Sequence, residues 1–456
     1  MQTEFNFFQQ WYPLSPLEDL DPKRPTPVTL LGMRLVIWKP HSSHSFQVFL
    51  DQCPHRLAPL SEGRVDEKTG NLMCSYHGWE FDQGGTCTKI PQADNPQILT
   101  KNQKQLCATS LPVKQESDLL WVWADFNTPE KAAGVPLPLS PQADASQGFV
   151  WTSYVRDLEY DWQTLIENVA DPSHVPFTHH GVQGDRAKGS AIPFQILQST
   201  ADIIQVQAQG GMGSKITFEP PCHLEYEIKF GDSGKQLGLI TYCIPVSPGK
   251  SRLVALFSRN FAKTLAKIQP RWLDHISDRN LVLDGDMIVL HHQERFLQQK
   301  VLEEENQIQS DKLSQTWKTA YQLPTSADRL IIEFRNWFDK YSQGKLPWGQ
   351  VGIDDTDIPT TINEDRKALL NRYEQHTKHC SSCRNTLKFI QSLQIFLLAF
   401  FAIDIAIAAI LPDQLRLSIG LPMIITGLLG LGIYTWLKFS LVPKFYFVDY
   451  IHPDKV

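Results

Sequence analysis

The sequence predicts an α+β chain in three successive parts: a small all-β domain, an antiparallel sheet flanked by helices, and a closing pair of membrane-spanning helices. Three observations predict it. Short β-rich runs punctuated by Gly, Pro and Asp fill Trp11 to about Asp125, among them Arg34–Trp38, Phe46–Leu50 and Leu119–Trp123. Helical spacing over Leu158–Ala170 and Trp272–Glu304 brackets several strand-like runs between Phe194 and Phe261. Two apolar stretches, Phe389–Leu411 and Leu417–Leu437, each reach about the 20 residues that a helix needs to cross a bilayer.

At 456 residues the chain exceeds what one hydrophobic core usually serves, so more than one domain is expected. The boundaries read as a first domain over 1–125, a linker over 126–150 rich in Pro, Ala, Ser and Gly, a second domain over 151–348, a tail over 349–388, spans within 389–437 and a final tail over 438–456. In the second domain Leu239–Cys243 and Leu253–Phe257 are strands, and Gly231-Asp-Ser-Gly234 is a hairpin turn. Pro412, Asp413 and Arg416 lie between the two spans, which makes them a hairpin. Arg384 and Lys388 before it and Lys438 and Lys444 after it put both flanks on the cytoplasmic side, and the N-terminal body with them. Met1–Phe8 has neither the basic and apolar regions of a secretory signal nor the Arg and Ser richness of a transit peptide, so the chain is expected to start near its first domain.

A net charge of -6 without any long Lys/Arg run excludes the electrostatic footprint of a nucleic-acid-binding protein. Eight cysteines are too sparse for a disulfide-stapled scaffold, and four of them stand in short metal-like or redox-like spacings. Cys87, Cys107, Cys222 and Cys243 read as ordinary core or surface thiols.

Cys53-Pro-His55-Arg and Cys74-Ser-Tyr-His77-Gly-Trp place a C-x-H and a C-x-x-H pair in one β-rich domain. Two thiolates hold one iron and two imidazoles the other in a mixed-ligand two-iron cluster, whose potential the imidazoles raise. A zinc site uses the same four ligand types, but zinc fingers pair Cys with Cys and His with His, whereas each half here is mixed. The two segments resemble the Rieske signature almost residue for residue.

A second constellation follows in Glu167-Asn-Val-Ala-Asp171-Pro-Ser-His174-Val-Pro-Phe-Thr-His179-His180. Two His and one carboxylate form the facial triad that leaves open positions on a non-haem ferrous ion. The segment resembles that of the Rieske oxygenases, in which the Asp of D-x-x-H-x-x-x-x-H links cluster to iron and the carboxylate ligand comes later. That resemblance gives Asp171 the linking role, His174 and His179 the iron, and Asp286 in Leu283-Asp-Gly-Asp286-Met the third ligand. Asp284 is its rival: on a helix the two point to different faces, so only one reaches the metal. His180, His291 and His292 read as hydrogen-bonding or packing residues.

With both constellations in this order, the chain resembles the Rieske non-haem iron oxygenases from Trp11 to about Trp348. The resemblance implies a Rieske domain, a helix-grip catalytic domain and a homotrimer in which electrons pass from His77 of one subunit through Asp171 to His174 of the next. Thr325–Trp337, His379-Cys380-Ser-Ser-Cys383 and the two spans narrow it to the pheophorbide a oxygenase group, with the translocon-associated Rieske protein, protochlorophyllide oxygenase and, more distantly, chlorophyllide a oxygenase. The implied substrates are tetrapyrroles with O2, and the implied donor is reduced ferredoxin. The implied setting is a thylakoid or plasma membrane of a cyanobacterium, or one like the chloroplast envelope. An anchor at the bilayer fits lipophilic substrates. A redox-sensing or electron-transfer Rieske protein, or an oxygenase of another lipophilic compound, are the rival functions.

The C-x-x-C of Cys380 and Cys383 has no second such pair and no βαβ context, so by itself it supports neither zinc nor a thioredoxin fold. The resemblance implies a redox-sensitive dithiol. Asp404 within the first span costs roughly 2.5–3.5 kcal/mol on insertion and so needs a partner, most simply by pairing helices.

Overall fold

The computed structural model describes residues 4–95, 97–101, 103–209, 214–305, 316–353 and 357–453. It divides into two compact units, Met1–Ile268 with Asp286–Ile362, and Gln269–Gly285 with Asn363–Val456.

The first unit opens with eleven short strands in three antiparallel sheets. One runs β1 (Trp11–Pro16), β11 (Leu119–Trp123), β10 (Val113–Glu116); the next β2 (Thr26–Leu30), β3 (Met33–Trp38), β4 (Gln47–Leu50), β9 (Ser110–Leu111); the third β5 (Arg64–Val65), β6 (Leu72–Met73), β7 (Glu80–Phe81), β8 (Cys87–Lys89). Strand β11 is an unbroken apolar run because both its faces are covered, and all five of its residues are buried. Pro27 lies on edge strand β2, where a missing N–H breaks no inner ladder. The β2–β3 hairpin turns on Leu31 and Gly32, both with positive φ (49° and 77°), the two-residue geometry that matches strand twist.

The 127–148 stretch is not a loose connection. Three short turns, Pro129–Gly134, Pro141–Ala143 and Ala145–Gln147, form a strap held by Tyr242 Oη donating to the Pro138 carbonyl (3.2 Å) and Ser258 Oγ to that of Gln142 (2.6 Å).

A seven-stranded antiparallel sheet follows, in the order β12 (Val150–Leu158), β18 (Lys250–Arg259), β17 (Gln236–Ser247), β16 (His223–Lys229), β15 (Lys215–Glu219), β14 (Ile204–Ala208), β13 (Phe194–Ser199). The Gly231–Gly234 turn joins β16 to β17 as expected, with both glycines at positive φ. Helix α1 (Trp162–Ala170) starts at Asp161, whose carboxylate accepts from the Thr164 N–H at 2.9 Å. Further on come α2 (Asn280–Glu305) and α3 (Arg329–Ser342). Aromatic rings fasten α1 and α3 to each other and to the sheet. Trp162 meets Phe334 and Phe338 at 5.6 and 5.4 Å between centroids, and Phe218 of β15 meets Phe334 at 5.5 Å. Each such ring contributes roughly 1.5–3 kcal/mol by burial. Arg335 of α3 pairs with Glu167 of α1 inside this layer.

In the second unit, α4 (Ser381–Ile410) runs back from the C-x-x-C, and α5 (Leu421–Trp436) lies against it. Both belong to helical segments long and apolar enough to cross a membrane, with mean hydropathy 2.5 and 1.8. Only 17% of each apolar window is buried, unlike the core helices of a soluble protein. Asp404 is buried and accepts from Thr426 Oγ1 of α5 at 3.2 Å, the interhelical partner that its position requires. Gly427 leaves room there, since a Cβ would come within 3.4 Å of the Asp404 Cβ.

His223 of β16 is buried between Glu219 (3.2 Å) and Glu225 (3.4 Å). Burial opposes its charge, but the two carboxylates outweigh that and raise its pKa to about 9. A raised folded pKa stabilises fully below the unfolded value near 6.5 and loses that contribution as pH rises through about 9. The urea midpoint of the wild type should therefore fall between pH 6.5 and 9 by the equivalent of a few kcal/mol, and that of His223→Gln should change far less over the same range.

Candidate active site

The four residues expected at the two-iron cluster occupy twin loops. In the first, Cys53 N–H bonds the Ala58 carbonyl (2.8 Å) and Leu57 N–H returns to the Cys53 carbonyl (2.8 Å). In the second, Cys74 bonds Trp79 (2.9 Å) and Gly78 returns to Cys74 (3.1 Å). The fifth residue of each loop takes positive φ, Leu57 at 58° and Gly78 at 70°. The loops are thus the same backbone device used twice, with His two residues after Cys in one and three after it in the other. Both cysteines are buried whereas His55 and His77 are only half-buried, their rings 4.5 Å apart, and His55 stacks on Trp79. Burial, with the Cys74 thiol close by, pushes the Cys53 thiol up to about 12, so it deprotonates only for a strong cation. Burial and then the charges of His77 and Arg56 lower His55, which keeps its imidazole neutral and ready to ligate. Two thiols inside and two imidazoles at the rim fit a mixed-ligand cluster. Asp51 braces the first loop by accepting from Ser61 N–H (2.7 Å) and Oγ (2.8 Å).

At the second constellation three donors converge. His174 Nε2 lies 3.2 Å from His179 Nε2, and Asp286 brings one oxygen to 3.8 Å from the former and the other to 3.4 Å from the latter. Ligands about 2.1 Å from a common ion at right angles sit about 3 Å apart, so the set fits a facial triad. Asp171 divides its carboxylate. Oδ1 accepts from Ser173 N–H (2.7 Å) and Oγ (2.5 Å), while Oδ2 faces His174 Nδ1 at 3.8 Å. Burial opposes ionisation of Asp171, yet the neighbouring His174 imidazole and hydrogen bonds from Ser173 hold its pKa below the usual carboxylate range. Burial likewise opposes the charge of His174, and Asp171 and Asp286 outweigh it, raising the imidazole.

Asp284 goes elsewhere. Two residues apart on α2 means about 200° of rotation, and Asp284 is fully buried against Arg372, which donates to it from Nε (2.8 Å) and Nη2 (2.5 Å). Its charge is already matched, whereas that of Asp286 faces two imidazoles.

The Rieske [2Fe-2S] domain model matches residues 10–110 and the pheophorbide a oxygenase model residues 218–304. Pheophorbide a oxygenase of Oryza sativa subsp. japonica is 38% identical over 99% of this chain and 86% of its own. The chain belongs to the pheophorbide a oxygenase group of Rieske non-haem iron oxygenases. Its cofactors are a Rieske [2Fe-2S] cluster and a non-haem iron. Protochlorophyllide-dependent translocon component 52 of Arabidopsis thaliana is 32% identical over 98% of this chain and 86% of its own. Flavonoid 8-hydroxylase 2 of Ocimum basilicum is 32% identical over 90% and 79%. The crystal structure of dicamba monooxygenase bound to dicamba shares the fold with a TM-score of 0.57 at 19% identity, covering 74% of this chain and 98% of that one.

The other histidines of this oxygenase have separate duties. His291 Nδ1 lies 2.6 Å from the Glu159 carbonyl, His180 Nδ1 accepts from Arg186 N–H, and His292 packs edge-on to Phe296. Tyr160 escaped the sequence reading. It is fully buried, and burial followed by the Asp286 charge pushes its phenol well above the ordinary value, which keeps it a neutral O–H donor. A single Tyr just beyond the end of a β-strand carries no signal that distinguishes it from core. Removing the Asp284 charge strands Arg372 in the interior, which costs about 3–5 kcal/mol. Asp284→Asn should accordingly lower the unfolding midpoint strongly, while the iron content of the protein that remains folded stays at the wild-type value.

Proposed function

We propose that this oxygenase is a membrane-anchored enzyme that inserts oxygen into a chlorophyll-derived tetrapyrrole, with reduced ferredoxin as the donor. The observation that carries the reading is the convergence of His174, His179 and Asp286, because a pure electron relay has no use for a second set of buried iron donors. Cys53, His55, Cys74 and His77 hold the cluster, and His174, His179 and Asp286 hold the iron. When bound, the cluster supplies single electrons and the iron supplies oxygen activation.

The chain's own part is positioning. Ser173 fixes one oxygen of Asp171, so the other stays aimed at His174 Nδ1 and turns Nε2 of that ring towards Asp286. Asp171 is only half-buried, as is His77 beside the exposed Tyr76, so both ends of the electron route reach the surface. That exposure supports a route between subunits of a homotrimer, and a fully active isolated monomer would overturn it. The apolar faces of α4 and α5 support an integral membrane protein that collects its substrate from the bilayer surface, and the basic flanks Arg384, Lys388, Lys438 and Lys444 support a catalytic body on the cytoplasmic side.

The tetrapyrrole reading follows the likeness to pheophorbide a oxygenase, and the flavonoid 8-hydroxylase likeness favours a second reading in which a flat phenolic compound is the substrate. Anaerobic reduction, then 18O2 with chlorophyll-derived pigments and flavones in parallel, should place label in a pigment product. Label only in a flavone would move the assignment to the second reading. Iron analysis should give three irons per chain, two in the cluster and one in the triad. Asp286→Asn should give two, with the cluster's electron paramagnetic resonance signal intact. Asp171→Asn should keep all three and slow transfer from reduced cluster to product roughly 10–100-fold.

A further inference from the structure

The C-x-x-C stands alone in the sequence and has company in space. Cys380 caps the start of α4 and Cys383 lies in its first turn. The π-helical turn Tyr373–Thr377 just before them contributes His376, and another, His275–Arg279, contributes His275 from about a hundred residues earlier. All four side chains are buried, each at 1% exposure or less.

Their donor atoms crowd around one point. His376 Nε2 is 3.1 Å from His275 Nδ1 and 3.3 Å from Cys383 Sγ, and His275 Nδ1 is 3.6 Å from both Cys380 Sγ and Cys383 Sγ. Every pair is within 4.8 Å. A tetrahedral ion with bonds of about 2.0–2.1 Å to nitrogen and about 2.3 Å to sulfur sets edges of about 3.3–3.8 Å between its ligands. Hydrogen bonds join atoms in pairs; a common centre draws all of them together, and this is the pattern here. We propose that His275, His376, Cys380 and Cys383 bind one zinc ion in a closed, structural Cys2His2 site at the foot of α4.

Three further observations fit that occupant. Two thiolates cancel the charge of a divalent cation, and a neutral site suits the apolar shell of Ile276, Leu387, Ile390 and Phe445 around these residues. Arg271 Nη2 approaches Cys380 Sγ at 3.8 Å, an outer donor of the kind that supports metal thiolates. The cysteines are unbridged and each sulfur faces an imidazole, which a disulfide would not need. A two-iron cluster would part its ligands onto two irons, whereas the nitrogen and sulfur atoms here interleave. Four protein ligands leave no open position, so the ion fastens rather than reacts. It ties the turn carrying His275 to the start of α4, a cross-link over about a hundred residues of chain.

The full-length protein, purified in detergent from cells supplied with zinc and without chelators, tests this directly. Metal analysis should find about one zinc per chain beyond the irons, and zinc K-edge X-ray absorption should show two sulfur and two nitrogen scatterers. The double variant Cys380→Ser/Cys383→Ser should lose at least about 90% of that zinc while the cluster's paramagnetic signal persists. Should the variant not fold, the wild-type absorption spectrum decides alone. Zinc below about a tenth of an equivalent in the wild type, zinc without sulfur ligands, or two thiols that alkylate quantitatively or close to a disulfide in the native protein would overturn the proposal. None of these readouts involves substrate or turnover, so they stand apart from the oxygenase reading.

Discussion

A charge taken out of water has to lie within a few ångströms of its opposite, and that constraint arranges each chemically active part of this protein. Asp284 and Asp286 show it from a single helix turn. Arg372 matches the first with two hydrogen bonds, which leaves a structural ion pair and nothing to react. Two imidazoles meet the second, and they carry positive charge only when protonated. Three lone-pair donors aimed at one point repel one another unless a cation sits between them. The difference between a brace and a metal centre is therefore the kind of partner, not the carboxylate.

The same constraint separates depth from reach at the cluster. Thiolates are charged, so a buried thiolate needs a cation beside it. Imidazoles are neutral ligands and can stand at the rim. The twin loops achieve both with one backbone design, because the left-handed fifth residue turns the chain back so that the cysteine points inwards and the histidine outwards. Asp171 meets a related need beside the triad: Ser173 holds one of its oxygens, so the other keeps its direction towards His174.

Helices α4 and α5 obey the converse rule. Their apolar side chains face outwards because no protein layer covers them, and the single carboxylate among them is turned inwards to Thr426. A surface of this kind is at home in hydrocarbon, as the proposed membrane anchor requires.

What the sequence determined by itself was everything whose parts lie close along the chain. C-x-H and C-x-x-H each fit within one loop, D-x-x-H-x-x-x-x-H occupies one short segment, and a long apolar helix is declared by twenty apolar residues. Local backbone geometry suffices for these. Tertiary structure decided whatever depends on the phase or packing of distant elements: that Asp286 rather than Asp284 faces the two histidines, that the Pro-rich 127–148 stretch is a strap across β17 and β18, that Tyr160 is fully buried, and that a lone C-x-x-C gains His275. No spacing rule reaches across a hundred residues, since the rotation of α2 and the placing of a turn against α4 are set by the side chains they bury and not by their neighbours in sequence.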